Sequence, residues 1–433
     1  MSAMLVGLKA QVETGATLTE YLPSSNVPGG FTFAIPEGPY LLDFTSGGVR
    51  YGTVTSAATV DLGYAVVGRT DATYPQAATP LTLNLTGLVP WSANDGLGFT
   101  STNLGVGEYD VMRFSTQGLE AGATAGAVTF DYRQSRLPML SAARGDTLVL
   151  TQRVRLSSPL PHWTTVRSAT VTGLTQTSGQ SSTVNAVFSA MPPLTQPVDL
   201  RTTQFESHRA SVHPQAVSSH TQILFYGAPG FTPERSAGAT TAILLYAALP
   251  AGGTDFSGSF TFVNPFSVST PLVVSVASLF SVAVQAPGAA AAPLYGVLEQ
   301  TLPLASLSGP LTPLVGPPRM IQVNGVPVTT LTSGVGQSPV ITWAAPAIGA
   351  VDYYLVTFSR LVNQAGETQI VTVATFGTKA TRLVVPPNTL QAGQLHMITV
   401  SAFVNRGIDF DTRPFQTAGI SSRADAVAGP IVR

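Results

Sequence analysis

Val340-Ile341-Thr342-Trp343, with Pro346 three residues on, opens the stretch that decides the fold. Asp352 precedes Tyr353-Tyr354-Leu355-Val356-Thr357-Phe358, and a polar turn at 363–367 leads to a run at 369–375. A fourth run lies at 381–385. Leu390-Gln391-Ala392-Gly393-Gln394-Leu395-His396 then leads into Met397-Ile398-Thr399-Val400-Ser401-Ala402-Phe403. Each run is short, rich in β-branched and aromatic side chains, and bounded by Gly, Pro or Asn. Such side chains suit a pleated, half-buried surface, and such boundaries turn the chain. Strands at this spacing predict an all-β protein, a multidomain chain of antiparallel β-sandwiches.

The order of these residues resembles a fibronectin type III domain. Trp343 and Pro346 stand where that family has a core Trp on its second strand followed by Pro. Tyr354 and Val356 match its Tyr-rich third strand, and Leu390, Gly393 and Ala402 match its corner and the strand after it. Two positions depart: Ala392 replaces the corner Pro, and His396 replaces the corner Tyr. An imidazole still has a hydrogen bond to give the backbone. The resemblance implies a sandwich over roughly the last quarter of the chain and no particular activity.

Composition extends this reading. Only 10% of the 433 residues are charged, against about a quarter in ordinary soluble domains. Surface helices need a charged outer face, so a chain this poor in charge has few to build. Its length predicts about three or four domains. Lys9 and Lys379 are the only lysines, the net charge is −1 and no basic stripe exists. Nucleic-acid binding needs clustered cations and is disfavoured. Low net charge leaves self-association open. Without cysteine, disulfides, thiolate metal sites and cysteine nucleophiles are excluded. Low charge, Gly/Thr/Ser richness and sandwich modules point to an extracellular or bacterial cell-surface location. Met1 to Glu20 has neither the basic start nor the apolar run of a signal peptide, so this expectation assumes a leader absent from the sequence.

Four domains are expected, at 1–66, 67–197, 198–316 and 317–433. In the first, strands are predicted at 5–13 and 17–21. Gly29-Gly30-Phe31-Thr32-Phe33-Ala34-Ile35 then alternates Phe31, Phe33 and Ile35 onto one face, and Tyr40 and Leu42 return after a turn at 36–39. This pattern resembles the carboxypeptidase-regulatory-like (transthyretin-like) sandwiches, which implies a spacer or binding domain without catalytic residues. Ala65-Val66-Val67 opens the second domain, with strands expected at 81–86, 110–114, 127–132, 147–156, 164–172 and 182–189. The third has strands expected at 222–226, 241–246, 257–263 and 273–284. No residue from 256 to 298 is charged. Val274, Val276, Phe280, Val282 and Val284 alternate with small residues, and Pro265, Pro271, Pro287 and Pro293 interrupt the stretch, so strands are expected and not a transmembrane span. Residues 288–293 and 303–318 read as linker. Asn324-Gly325 signals a hairpin, and 405–407 a turn. A β-propeller over 67–315 ranks below two sandwiches.

Chemistry-bearing residues are few. Glu206-Ser207-His208-Arg209 and the nearby His213 and His220 concentrate metal-ligand types, so His208, His213 and His220 are the candidate transition-metal ligands. Against that, five residues separate His208 from His213, which on a strand places them on opposite faces. No other cofactor is called for. Trp91 and Trp163, each beside turn residues, are the candidate ligand-binding aromatics, with core packing as the competing role. Arg144-Gly145-Asp146 matches an integrin-binding tripeptide and is also ordinary turn chemistry. Glu108 with Asp110, and Asp409 with Asp411, are same-face acid pairs if on strands, and solvated turns explain them better. No nucleophile elbow, phosphate loop, dinucleotide fingerprint or EF-hand occurs, so no catalytic residue is assigned.

The sequence therefore predicts a non-catalytic exported bacterial surface protein, a scaffold, adhesin or binding module whose partner is a cell-surface glycan or protein. The alternatives are a carbohydrate-active or metal-dependent enzyme with its site in 67–315, and a self-assembling fibre or phage-like structural protein.

Overall fold

The computed structural model describes residues 6–15, 17–27, 30–63, 68–115, 118–228, 242–267, 270–405, 409–416 and 421–433. Leu5, Gly29, the opening at 65–67, Thr241 and the turn residues Arg406 and Gly407 lie outside the described residues.

The protein is all-β. In the first 66 residues the strands are β1 (Val6–Thr14), β2 (Thr17–Tyr21), β3 (Ser25–Val27), β4 (Gly30–Thr32), β5 (Tyr40–Ser46) and β6 (Val49–Thr55). Next come β7 (Pro80–Thr86), β8 (Gly96–Ser101), β9 (Val106–Asp110), the single turn α1 (Val111–Phe114), β10 (Ala125–Asp131), β11 (Leu148–Leu156), β12 (His162–Val171), β13 (Ser182–Val187) and β14 (Pro193–Leu200). Two short helices, α2 (Thr202–Glu206) and α3 (Arg209–Val212), precede β15 (Val217–Gly227), β16 (Ala242–Pro250), β17 (Phe256–Val263), β18 (Leu272–Val284) and β19 (Ala292–Pro303). The last part holds β20 (Arg319–Val323), β21 (Val326–Pro327), β22 (Thr332–Ser333), β23 (Val340–Ala344), β24 (Tyr353–Gln364), β25 (Glu367–Thr378), β26 (Arg382–Val384), β27 (Leu395–Asn405) and β28 (Ser421–Val432).

A 17-stranded hydrogen-bonded sheet runs through all four expected domains. Its path is β2-β1-β5-β6-β25-β24-β27-β28-β19-β18-β15-β16-β12-β11-β8-β9, with β22 beside β28. The expected boundaries are crossed by three seams. At the first, β6 pairs in parallel with β25, Arg50 beside Ala374. At the second, β28 joins β19, Ala424 opposite Leu298. At the third, β12 joins β16, Trp163 opposite Tyr246.

Hydrophobic burial follows the two-residue period of a strand. In β7, Leu81, Leu83 and Leu85 point inward and are buried. They share a core with Val128 and Phe130 of β10 and with Leu97, Phe99, Leu148 and Leu150 of β8 and β11. The three-stranded sheet β10-β7-β13 thus faces the β9-β8-β11-β12 end of the large sheet. All buried members of this core fall between Leu81 and Phe188. A second core collects Leu41 with residues from Val198 to Ile431, so one apolar cluster spans the expected boundary at 316/317. In β18, Val274, Val276, Phe280, Val282 and Val284 enter this core. Its other face is also buried at Val273, Ser275 and Ala277, where Ser275 bonds Glu299 at 3.0 Å. That explains an uncharged run with strand periodicity. Among the described residues no helix is long and apolar enough to cross a membrane.

The anchor stretch forms two facing sheets. One is β21-β20-β23-β26 and the other is the β25-β24-β27-β28 portion of the large sheet. Trp343 of β23 is buried edge-on against Tyr354 of β24, with ring centroids 5.3 Å apart at 69°. His396 is fully buried. Its Nδ1 lies 3.0 Å from the Gln394 carbonyl, and Nε2 accepts from the Gln391 N–H at 3.4 Å. That pairing selects the tautomer with the proton on Nδ1.

Three local expectations change. Residues 110–114 were expected as strand, but the Asp110 side chain accepts from the Met112 N–H at 3.1 Å and caps one helical turn. The segment around His208 and His213 is helical, with the two residues flanking α3. The expected linker at 288–293 runs into β19, and Ala290 bridges to Glu367. In the first segment Phe31 is exposed, while Phe33 and Ile35 are half-buried. Leu41 and Leu42 of β5 carry the burial there.

His396 makes stability pH-dependent. Burial, reinforced by the Arg360 charge, holds its imidazole below the ordinary value of 6.5, opposed by the bond to Gln394. Burial likewise lowers His208 and His213. A depressed histidine contributes stability that is present above 6.5 and is lost as pH falls through the folded value, because the unfolded chain takes up the proton more readily. Urea midpoints should therefore fall on acidification below pH 6.5, and His396→Gln should flatten that slope. An unchanged slope in the variant would remove His396 as its source.

Candidate functional site

A cleft lies at the seam between the first segment and the last. It encloses about 540 Å³, within the ~300–1,000 Å³ range of small-ligand sites. Strands β1, β5 and β6 form one wall. A bulge in β1 between Val6 and Lys9 sets Lys9 opposite Asp43. On the neighbouring strand Arg50 stands opposite Thr45. The other wall is the loop 386–391, where Asn388 takes a left-handed conformation with φ 65°, a region Asn tolerates better than most residues. Val371, Thr372 and Val373 of β25 make the floor, and Arg360 of β24 closes one end.

Arg50 ties the two walls together. Its Nε donates to Asp43 Oδ1 at 2.7 Å and its Nη2 pairs with Oδ2. Its Nη1 donates to the Pro387 carbonyl at 2.7 Å and to Thr389 Oγ1 at 3.0 Å. Both Asp43 oxygens are therefore engaged by one guanidinium. Lys9 is held by Glu20 at 2.6 Å. Arg360 is different. It donates through Nη1 to Gln391, its Nε is buried without a hydrogen-bond partner, and among the described residues no carboxylate pairs with it. The cleft lining thus holds a guanidinium that no carboxylate among the described residues answers.

The residues singled out from the sequence are dispersed. His213 is buried, and its Nδ1 accepts from the Gln215 N–H at 3.1 Å. His208 lies against Gly316. His220 lines a separate small crevice with Glu206 and Ser218, and its Nδ1 is 3.1 Å from Ser219 Oγ. Among the described residues no group of three or more His, Asp or Glu side chains is placed to hold a metal ion. Trp91 is buried in the 81–188 core. Trp163 is half-buried at the β12–β16 seam, its Nε1 donating to Asn94 O at 3.1 Å, with Tyr246 at 5.7 Å and the Arg155 guanidinium 5.0 Å above its ring. In Arg144-Gly145-Asp146 the Asp146 side chain is buried and bonded to Arg69 at 2.9 Å and to the Ser141 N–H at 2.8 Å. A receptor cannot reach that carboxylate. Asp409 accepts from the Asp411 N–H and the Thr412 hydroxyl, and Asp411 pairs with Lys379, which is turn chemistry.

Glu108 parts from Asp110. Asp110 caps its helix on the surface, whereas Glu108 is largely buried, with 11% of its side chain exposed, between two expected domains. It faces Arg153 at 3.1 Å, and its Oε2 accepts from the Ile243 N–H at 3.2 Å. Burial pushes its carboxyl up to about 7, opposed by Arg153 and the Ile243 bond and aided by Asp110. A raised carboxyl contributes stability present below its ordinary 4.5 and lost as pH rises through about 7, where a charge must sit in the interior. Glu108→Gln should therefore remove a fall in stability between about pH 4.5 and 7, read as a flatter plot of denaturation midpoint against pH. A slope equal to that of the parent chain would sink the assignment.

Sequence reading missed the cleft because its walls lie more than 300 residues apart, as the Arg50–Pro387 separation of 337 measures. One signal was available: Asp43 stands inside Leu41-Leu42-Asp43-Phe44. A carboxylate in so apolar a strand needs a buried cation. No protein-family model matches the chain, and no match is found among curated proteins.

Proposed function

We propose that the protein is a non-catalytic, exported bacterial surface or extracellular binding protein, built as a scaffold that presents the cleft between its first and last segments. The observation that carries this reading is the cleft itself. It is walled by two segments held together by backbone pairing and by the Arg50 network, and it offers polar side chains and a cation, Arg360, that no carboxylate among the described residues pairs. Rigid elements around a concave polar site are what selective binding requires. We read 317–433 as a fibronectin type III-like module on the same footing. The facing sheets β20-β23-β26 and β25-β24-β27-β28, with Trp343 and Tyr354 between them, support it.

The test is cosedimentation of the purified chain with bacterial cell-envelope polysaccharide and with surface-protein fractions. Saturable binding to either, with the bound material recovered chemically unchanged, is the expected result. Conversion of the polysaccharide, or concentration-dependent assembly of the chain with no binding, would replace this reading with the enzyme or the fibre.

A further inference from the structure

We infer that the cleft between the first and last segments seats a carboxylate-bearing sugar unit, its acid group received by Arg360. This rests on the binding-protein reading and names the ligand class of that site. Three observations converge on it. First, Arg360 lines the cleft, and among the described residues no carboxylate pairs with its guanidinium. A planar guanidinium matches a carboxylate in a two-point contact, and an acid group in the cleft would answer that charge. Second, Asp43 cannot compete for that role or repel the ligand, because Arg50 already neutralises it through two contacts. Third, the rest of the lining suits a polyhydroxylated ring. Asn388, Gln391 and Thr372 offer amides and a hydroxyl of the kind that bond sugar hydroxyls. Val371, 40% exposed on the floor, gives an apolar surface for the ring's C–H face. The volume of about 540 Å³ accommodates one or two sugar rings and excludes a folded partner.

The experiment is titration calorimetry of the full chain with digalacturonic acid, with lactose as the neutral sugar and succinate as an acid without a ring. Digalacturonate should bind with one site per chain; lactose should bind at least about tenfold more weakly for want of the charge-assisted hydrogen bond, and succinate at least about tenfold more weakly for want of the ring's hydroxyl and C–H contacts. Arg360→Gln should lower digalacturonate affinity by about tenfold or more. Thr372→Trp, at an exposed floor position opposite Ser359, should abolish binding by filling the cleft while the chain still unfolds at the parent's denaturant midpoint. Equal affinity for lactose would overturn the role of the charge. Equal affinity for succinate would overturn the sugar. Binding untouched by both substitutions, or no digalacturonate binding at all, would overturn the site. In that last case continued adhesion of the chain to envelope material would leave the binding-protein reading standing, so the two failures are distinguishable.

Discussion

Arg50→Met will destabilise the protein by about 3–5 kcal/mol, the usual cost of leaving a buried charge without its partner. The Asp43 carboxylate is buried, with 1% of the residue exposed, and Arg50 supplies both of its side-chain contacts. Methionine keeps much of the aliphatic stem but removes every donor. The loss also reaches across the seam, because the Pro387 carbonyl and the Thr389 hydroxyl each lose a partner. Urea denaturation at pH 7 measures the effect. The double variant Arg50→Met with Asp43→Asn should recover part of the loss, since a neutral amide in the same place is cheaper to bury. A loss below about 1 kcal/mol in the single variant would mean that water reaches the pair, as it does in surface ion pairs.

Trp343→Ala will cost about 3–5 kcal/mol, as deletion of a large aromatic from a packed interior does. Trp343 is 5% exposed, and its ring meets Tyr354 edge-on at 5.3 Å. It belongs to the same apolar cluster as Ile341, Val356, Leu383 and Val400, which come from both sheets of the last module. An alanine leaves a cavity between those sheets that neighbouring strands, pinned by their hydrogen bonds, cannot collapse to fill. Trp343→Phe keeps most of the contact and should cost much less. Denaturant unfolding with near-ultraviolet circular dichroism reads both variants. Equal and small losses for the two would remove Trp343 from the set of residues that hold the sheets together.

Arg50 and Trp343 also mark how far each part of the protein was legible. Trp343 announced itself: an aromatic between β-branched residues, followed by Pro346 and a Tyr-rich run, is a local pattern. The strand it predicted is β23. Arg50 carried no such mark, since its partners at 387 and 389 stand far along the chain. The histidines misled in the opposite direction. Their density at 206–220 looks like a ligand set, yet one helical turn and a change of element direct His208, His213 and His220 to different surroundings. Residues 110–114 were misjudged because the capping power of Asp110 outweighed an apolar run with strand character.

The sequence by itself determined the class of structure. Side-chain alternation, β-branching, scarce charge and Gly/Pro punctuation are short-range properties, and they decide strand against helix within a window of ten residues or so. They also determined that the uncharged stretch 256–298 would be built on strands, which are β17, β18 and the start of β19, because its apolar residues recur with a period of two. Only the tertiary structure decided how strands from distant segments join. The β6–β25, β19–β28 and β12–β16 seams are made of backbone hydrogen bonds. Every residue except proline offers the same donor and acceptor, so a strand edge does not name its partner in its side chains. The cleft exists because one of those pairings brings residue 50 beside residue 374, and its chemistry is a property of that meeting.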